Sequence, residues 1–353
     1  MGKVERIEIA PGYSISRLLK GGWHLSSGHS ADVDRERAIK DMAAFVEAGI
    51  TSFDCADHYL GVEQLIGDFR RGHPSLAGDM QVHTKYVPDF EALPTLKRED
   101  TERTIDRSLR RLGVETLDLV QYYWWDLAVP GAVDTALVLS DLVRAGKIRH
   151  IGLTNFSTDQ LAVFVDAGVP VLVNQLQYSL VDNRPDARQV DYCRKHGIAL
   201  LTYGHLLGGF FAQDWLGADE PQEPYANRSL VKYKLIIDDF GGWSLFQQLL
   251  AELTRIGKHH GVGPGEVALR WTLDRPGVAG CIVGATSTRH LQQNVSVFDL
   301  RLSNEDRAAL TAICERRQGP VGDCYELESD RDGRHGRIMR RNQNKLEDRP
   351  WPG

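Results

Sequence analysis

A lysine inside an otherwise apolar run is the first residue of this chain that demands an account. In MQVHTKYV, Lys85 lies in a stretch that reads as a buried strand. A charge buried there is costly unless it is paired. Asp54, at the end of the apolar run FDCAD one strand earlier, is the obvious partner, with Asp57, His58 and Tyr59 directly after it. An ammonium close to a phenol favours the phenolate and lowers the tyrosine pKa. Tyr59 would then serve as a general acid or base near neutral pH. A purely structural Asp54–Lys85 pair beside a surface tyrosine fits the same pattern.

Elements far apart in the chain must bring these residues together. From about Ile15 to Ala285, short apolar runs alternate with longer amphipathic stretches. The runs are Ile15 to Trp23, TSFDCAD, MQVHTKYV, LDLVQYYW, HIGLTN, VLVNQLQY, IALLTYGHL and GCIVGAT. Helical spacing follows the first run through Ala38, Met42, Phe45, Val46 and Ile50. It recurs in Val62–Phe69, Arg98–Leu112, Asp134–Ala145, Thr158–Ala167, Pro185–His196 and Leu245–His260. Eight strand–helix units in one chain predict a closed (β/α)8 TIM barrel forming a single domain over residues 1–318. An open doubly wound sheet is the alternative, but no G-x-G-x-x-G follows the first run. In a barrel, the polar residues that end the runs converge at one mouth: Asp54, Lys85, Tyr122 to Asp126, Thr154, Asn155, Asn174 and Gln175.

Three segments interrupt the repeat. A long loop after the seventh strand, about Gly208 to Gly242, is rich in Gly, Pro, Asp and aromatics; it is either part of the substrate pocket or a surface excursion. Pro264–Asp274 reads as an extra helix before the last strand. The charged tail, residues 319–353, is either a poorly ordered terminus or an arm folded over the barrel.

Composition narrows the function classes. The 353 residues carry 42 Lys+Arg against 48 Asp+Glu, a net charge of -6, which argues against nucleic acid or a membrane surface as partner. No run approaches the roughly 18 apolar residues a membrane span requires. The first residues carry charges where a signal peptide has an apolar core. The five cysteines are scattered with no CxxC pair, so neither a disulfide framework nor a metal site is expected. A cytoplasmic protein is the expectation, and nothing in the sequence assigns an oligomeric state.

The motifs themselves resemble a known family. FDCADHYLGVEQLIG, Phe53 to Gly67, is similar to the aldo-keto reductase signature, roughly D-x-A-x-x-Y-G-x-x-E-x-x-L-G. HTKYV, LDLVQYYWWD, IGLTNFS, NQLQYSL, LLTYGHLLGG and CIVGATSTRHLQQNV follow in the family's order, so the resemblance covers about residues 15 to 315. It implies an NAD(P)-dependent oxidoreductase that binds an extended cofactor at the C-terminal mouth of its barrel. By position in these motifs, Tyr59 is the proton donor to a carbonyl, or the base in alcohol oxidation, Lys85 lowers its pKa and Asp54 holds Lys85. Asn155 and Gln175 match the residues that bond the nicotinamide carboxamide, and Tyr203 the aromatic that stacks on the ring. Gly22 and Trp23 join the cofactor site; Gly284, Ala285 and Thr286 fall in its phosphate region, with His290, Gln293 and Asn294 beside the adenine.

Two departures from the family pattern matter. Tyr123 stands where most members carry a catalytic histidine; a phenol still donates a hydrogen bond to a carbonyl oxygen but cannot supply a proton as an imidazolium does. Where NADP-selective relatives place an arginine, the chain has His290, a weaker partner for phosphate, with Arg289 beside it; the resemblance implies NADP, with NAD or dual use a further possibility. Trp23, His58, Tyr86, Tyr123, Trp124 and Trp125 are the candidate substrate contacts, suited to a sugar or a small aldehyde or ketone. A cofactor-sensing regulatory subunit, and a lyase or isomerase using the cofactor transiently, are the alternatives.

Overall fold

A computed structural model describes residues 3–26, 33–225 and 227–344; the end of the tail, 345–353, lies outside the described residues. The chain opens with an antiparallel hairpin, β1 (Arg6–Ala10) and β2 (Tyr13–Ser16). Eight parallel strands then close into a barrel: β3 (Leu18–Gly21), β4 (Ser52–Asp54), β5 (Gln81–Tyr86), β6 (Leu117–Tyr122), β7 (Ile148–Thr154), β8 (Val171–Gln177), β9 (Ala199–Tyr203) and β10 (Val278–Gly284), which pairs back onto β3. Each barrel strand faces helices outside and packed side chains inside, which is why the runs are apolar almost throughout.

The predicted first run is divided in the structure. Ile15 belongs to the hairpin, Leu18–Gly21 is the first barrel strand, and Trp23–Leu25 is a short 3-10 turn. The reason lies at the barrel floor, where Tyr13 and Ile15 pack with Leu19, Leu119, Val173, Leu201 and Ala279. The hairpin is thus a plug, and apolar content alone did not separate it from the strand that follows.

Local signals set the helices. Asp34 caps Arg35–Glu47 by accepting from the Arg37 amide, and Ser157 with Gln160 forms a capping box at the start of Thr158–Asp166. The helix expected from Pro185 begins at Gln189 instead, because Pro185 sits in a 3-10 turn, Arg184–Asp186. Pro264–Leu273 is the extra helix expected before β10. The stretch read as a long loop after the seventh strand contains a helix, Arg228–Phe240, which buries Tyr233, Ile236, Ile237 and Phe240 and is capped by Asn227. Its apolar stripe has helical spacing, hidden between Gly- and Pro-rich flanks. No helix among the described residues is long and apolar enough to cross a membrane.

The floor of the barrel also holds a buried base. His83 on β5 faces inward, and its Nε2 lies 3.0 Å from the Tyr13 hydroxyl. Burial pushes its pKa down to about 4, despite the pull of Asp54. The folded imidazole stays neutral where the unfolded one, near 6.5, takes up a proton. Stability therefore falls as pH falls from about 6.5 to about 4, and this group adds no further loss below that. At about pH 4.5 the loss amounts to about 2 kcal/mol. His83→Gln, which keeps a hydrogen-bonding partner for Tyr13, is expected to shrink the difference in urea-unfolding free energy between about pH 7 and pH 4.5 by that amount. Equal differences in variant and wild type would show that His83 does not set this dependence.

Candidate active site

The residues singled out in the sequence meet at the C-terminal ends of the barrel strands. Lys85 Nζ donates to Asp54 Oδ2 at 2.6 Å and to the Cys55 carbonyl at 3.0 Å, with both charged side chains buried. Asp54 Oδ1 accepts from Gln121 Nε2 at 3.1 Å and from Gln175 Nε2 at 2.6 Å. Four strands, β4, β5, β6 and β8, thus each give one side chain to a closed polar cluster inside the barrel. Gln121 was missed in the sequence, although a polar residue inside LDLVQYY carries the same kind of signal as Lys85.

Tyr59 lies in the turn between β4 and the helix Val62–Gly72, a turn that closes through Gly61 at φ 81°. Glu63, buried on that helix, accepts from Thr84 Oγ1 at 2.7 Å and from Arg111 at 3.3 Å, fastening the turn to β5. The Lys85 ammonium sits 5.0 Å from the centre of the Tyr59 ring, and Trp23 and His58 pack on the same ring at 5.0 and 4.9 Å.

The expected depression of the Tyr59 pKa is not what the site produces. Burial pushes the phenol up to about 12, outweighing the opposing pull of Lys85, while Asp54 adds to the rise. Burial would lower Lys85, but Asp54 and then Tyr59 hold its ammonium up at about 12. At neutral pH the pair is a charged lysine beside a protonated tyrosine, an arrangement suited to giving a proton.

The amides around the site divide their work. The Tyr203 hydroxyl donates to Asn155 Oδ1 at 2.7 Å, so Asn155 keeps its NH2 group, presented from a left-handed backbone at φ 61°. Gln175 spends both N–H bonds on Asp54 and on Gln121 Oε1, and keeps its oxygen. Among the described residues neither remaining group has a protein partner, so the two present one donor and one acceptor. A primary carboxamide such as that of nicotinamide requires that pair. Lys232, from the helix missed in the sequence, lies 4.9 Å over the Tyr203 ring.

Other expected site residues have different work. Tyr86 faces outward, its hydroxyl 3.0 Å from Thr101 Oγ1 on the helix Arg98–Leu112, because Lys85 before it faces inward. Trp124 is buried, bonded to the Val129 carbonyl at 3.1 Å and packed on Tyr122. Neither is placed to touch a substrate. The Gly22 amide is spent on the Asp54 carbonyl at 2.7 Å, and a Cβ there would lie 2.8 Å from that oxygen, so this glycine lets two strand ends approach instead of offering an N–H to a cofactor. Gly284, which ends β10, and Thr286 just past it are exposed, and the Ala285 carbonyl accepts from Lys20 at 3.3 Å. Arg289 is exposed, His290 Nδ1 pairs with Gln293 Oε1 at 2.5 Å, and Asn294 is buried.

Tyr123 and Trp125 belong to the mouth. Trp125 packs edge-on against Tyr123 at 4.9 Å and donates its indole N–H to the Pro88 carbonyl. Burial pushes the Tyr123 phenol well above its ordinary value, against the pull of Ser329 in the tail. The tail is an arm across this mouth. Tyr325 packs edge-on against Tyr123 at 5.9 Å, and Asn344 donates to Asp89 and to the Val87 carbonyl, both at 2.9 Å. Arg184, just past β8, grips Asp182 through two bonds of 2.8 Å and Glu328 of the arm through bonds of 3.2 and 3.3 Å, all three side chains being buried. Burial would raise Glu328, but Arg184 and then Lys232 hold its carboxyl below the usual range.

Residues 17–315 match the model of the aldo/keto reductase family. The chain belongs to that family. It is therefore an NAD(P)H-dependent oxidoreductase, of a kind that generally reduces carbonyl groups. It is 26% identical to the aldo-keto reductase YhdN of Bacillus subtilis over 88% of this chain and 94% of that protein. It is 32% identical to flagellar radial spoke protein 5 of Chlamydomonas reinhardtii over 64% of this chain, a match spanning about half, 49%, of that longer protein. Among solved structures, a thermostable aldo-keto reductase, Tm1743, bound to the inhibitor epalrestat superposes with a TM-score of 0.69 at 23% identity, covering 88% of this chain and 99% of that one. That structure shares the fold.

Glu328→Gln tests what holds the arm. Removing one charge from the buried Arg184 cluster is expected to cost about 2 kcal/mol, less than for an isolated buried pair because Asp182 remains. Limited proteolysis should then cut within residues 319–344 faster than in wild type; unchanged cutting would mean the arm is held by its other contacts.

Proposed function

We propose that this reductase converts a small aldehyde or ketone to its alcohol, with Tyr59 as the proton donor and NADPH preferred over NADH. The observation that carries this reading is the buried Asp54–Lys85 pair, 2.6 Å apart, set against the Tyr59 ring. A bound nicotinamide supplies the hydride. The Tyr59 hydroxyl gives its proton to the carbonyl oxygen, and the Lys85 ammonium stabilises the phenolate left behind. Asp54 keeps Lys85 in place, and Gln121 and Gln175 keep Asp54 in place. Tyr123 takes the part of a hydrogen-bond donor to the same oxygen.

The free Asn155 NH2 and Gln175 oxygen would hold the carboxamide, with Tyr203 stacking on the ring. Gly284 and Thr286 would border the phosphates, with Gln293 and Asn294 toward the adenine. Because His290 is engaged with Gln293, the exposed Arg289 is the residue for a 2′-phosphate. Trp23, His58 and Trp125 supply aromatic walls for a small carbonyl compound or sugar.

Tyr59→Phe is expected to lower kcat for carbonyl reduction by at least about 100-fold while the dissociation constant for NADPH, read by tryptophan fluorescence, stays within about twofold. Turnover equal to wild type would remove the proposed proton donor. Tight cofactor binding with no turnover in wild type would favour a sensor.

A phenol at about 12 stays protonated through neutral pH. Reduction should be nearly flat from about pH 6 to 9, whereas alcohol oxidation, which needs the phenolate, should climb about tenfold per pH unit to beyond about pH 10. A plateau in oxidation near neutral pH would contradict that assignment.

Arg289→Gln should weaken NADPH binding by about tenfold and leave NADH binding unchanged. Equal effects on both cofactors would exclude a role for Arg289 at the 2′-phosphate.

A further inference from the structure

Each carbonyl reduced at this site takes one proton from Tyr59, and the phenolate left behind must regain one before the next turnover. Water at the mouth is the simplest source, but a bound nicotinamide and substrate displace it from the hydroxyl. The proton must then arrive through a side chain packed on Tyr59. Lys85 is one, 5.0 Å from the ring centre, but its ammonium is committed to Asp54 and to the Cys55 carbonyl. A proton lent from Lys85 leaves the buried Asp54 carboxylate facing a neutral amine, which is costly.

His58 is the other. Its ring meets the Tyr59 ring edge-on, with centres 4.9 Å apart. Asp57 is buried and offers its carboxylate to His58 Nδ1 at 3.1 Å and to the Val87 amide at 3.3 Å, with Arg107 4.0 Å away. Arg111 donates to the Asp57 carbonyl at 3.2 Å, so the turn carrying both residues is fastened to the helix Arg98–Leu112. A carboxylate at Nδ1 fixes the hydrogen there and leaves the lone pair of the neutral ring on Nε2. Among the described residues Nε2 has no protein partner. An imidazole oriented in this way takes up and releases a proton at its free nitrogen.

His58 also borders a cavity of about 10 Å³, lined with it by Asp89 and Trp125 of the barrel loops and by Arg341 and Gln343 of the arm. That is room for one water, and the walls offer it several polar partners. Arg340, which lines it too, is exposed, so the cavity lies near the surface. His58 thus touches the proton donor and a water-sized space open to proton exchange.

We propose that the Asp57–His58 pair returns the proton to Tyr59, with Nε2 recharged through a water in this cavity. The inference rests on the reductase reading above and adds the route of its proton. In the return step an N–H bond of the imidazolium breaks and the O–H bond of Tyr59 forms, and no electron moves. The neutral imidazole then takes its next proton from solvent, one for each hydride delivered.

Two substitutions test this, His58→Gln, which keeps most of the bulk, and His58→Ala, which leaves space for free imidazole. In weak buffer, steady-state kcat for benzaldehyde reduction should fall about tenfold in both. A single turnover of enzyme already loaded with NADPH should stay within about twofold of wild type, because its proton is on Tyr59 from the start. Added imidazole should restore at least about half of the wild-type kcat to His58→Ala and leave wild type unchanged. A residue that only walls the pocket gives another pattern: single-turnover and steady-state rates fall together and imidazole restores nothing. That pattern overturns the proposal, and so does a steady-state kcat unmoved by both substitutions. Failure of the reductase reading is distinct, since wild type itself would then turn over no aldehyde, and the relay falls with it.

Discussion

The Asp54 carboxylate, sealed inside the barrel, is the constraint on which the rest of the site depends. An unpaired charge there would cost several kcal/mol, and this one is met by Lys85, Gln121 and Gln175 from three other strands. Such a cluster seldom repays its own desolvation, and apolar residues of similar size would serve the fold as well or better. Its presence above a barrel floor filled mainly by apolar side chains is therefore explained by what it does to Tyr59. The barrel supplies what a loop could not: side chains locked by packing on four hydrogen-bonded strands.

The electrostatics of that cluster pull in two directions, and the balance sets the direction of the chemistry. Lys85 favours the phenolate of Tyr59, while burial and Asp54 favour the phenol, and burial wins. A site tuned the other way would hold a ready base. This one holds a ready acid, with a permanent positive charge beside the oxygen that must accept negative charge once the proton has gone. The same low-dielectric surroundings that keep the proton on Tyr59 strengthen the stabilisation by Lys85 when it leaves.

Much of this was legible in the sequence because buried strands leave few reasons for a polar residue. Eight apolar runs announced the barrel, and Lys85 announced Asp54. Gln121 obeyed the same logic and was passed over, since an uncharged amide does not compel a partner as an ammonium does. Strict two-residue alternation separates inward from outward side chains: with Lys85 inside, Tyr86 must face the helices, and with Tyr123 at the mouth, Tyr122 and Trp124 must face away. Aromatic character alone had suggested otherwise for Tyr86 and Trp124. The sign of the Tyr59 shift was beyond the sequence, because it depends on how completely the ring is enclosed. So was the course of the tail, whose docking rests on the buried Arg184–Glu328 pair and on the contact of His335 with Asp239 in the helix Arg228–Phe240 as much as on apolar packing.

The arm divides labour with the barrel in a way that follows from those two kinds of attachment. The proton-handling residues sit on strands whose packing tolerates little change. Arg340, Arg341 and Gln343 sit on a segment of the arm pinned by Glu328 to Arg184 at one end and by Asn344 to Asp89 at the other. Between these pins the Arg341 carbonyl accepts from the Phe90 amide and its Nη2 donates to the Gly336 carbonyl. An arm held in this way can change by substitution without disturbing the Asp54 cluster. Arg184 couples the two: its guanidinium ties the loop that follows strand β8, the strand that carries Gln175, to Glu328 of the arm.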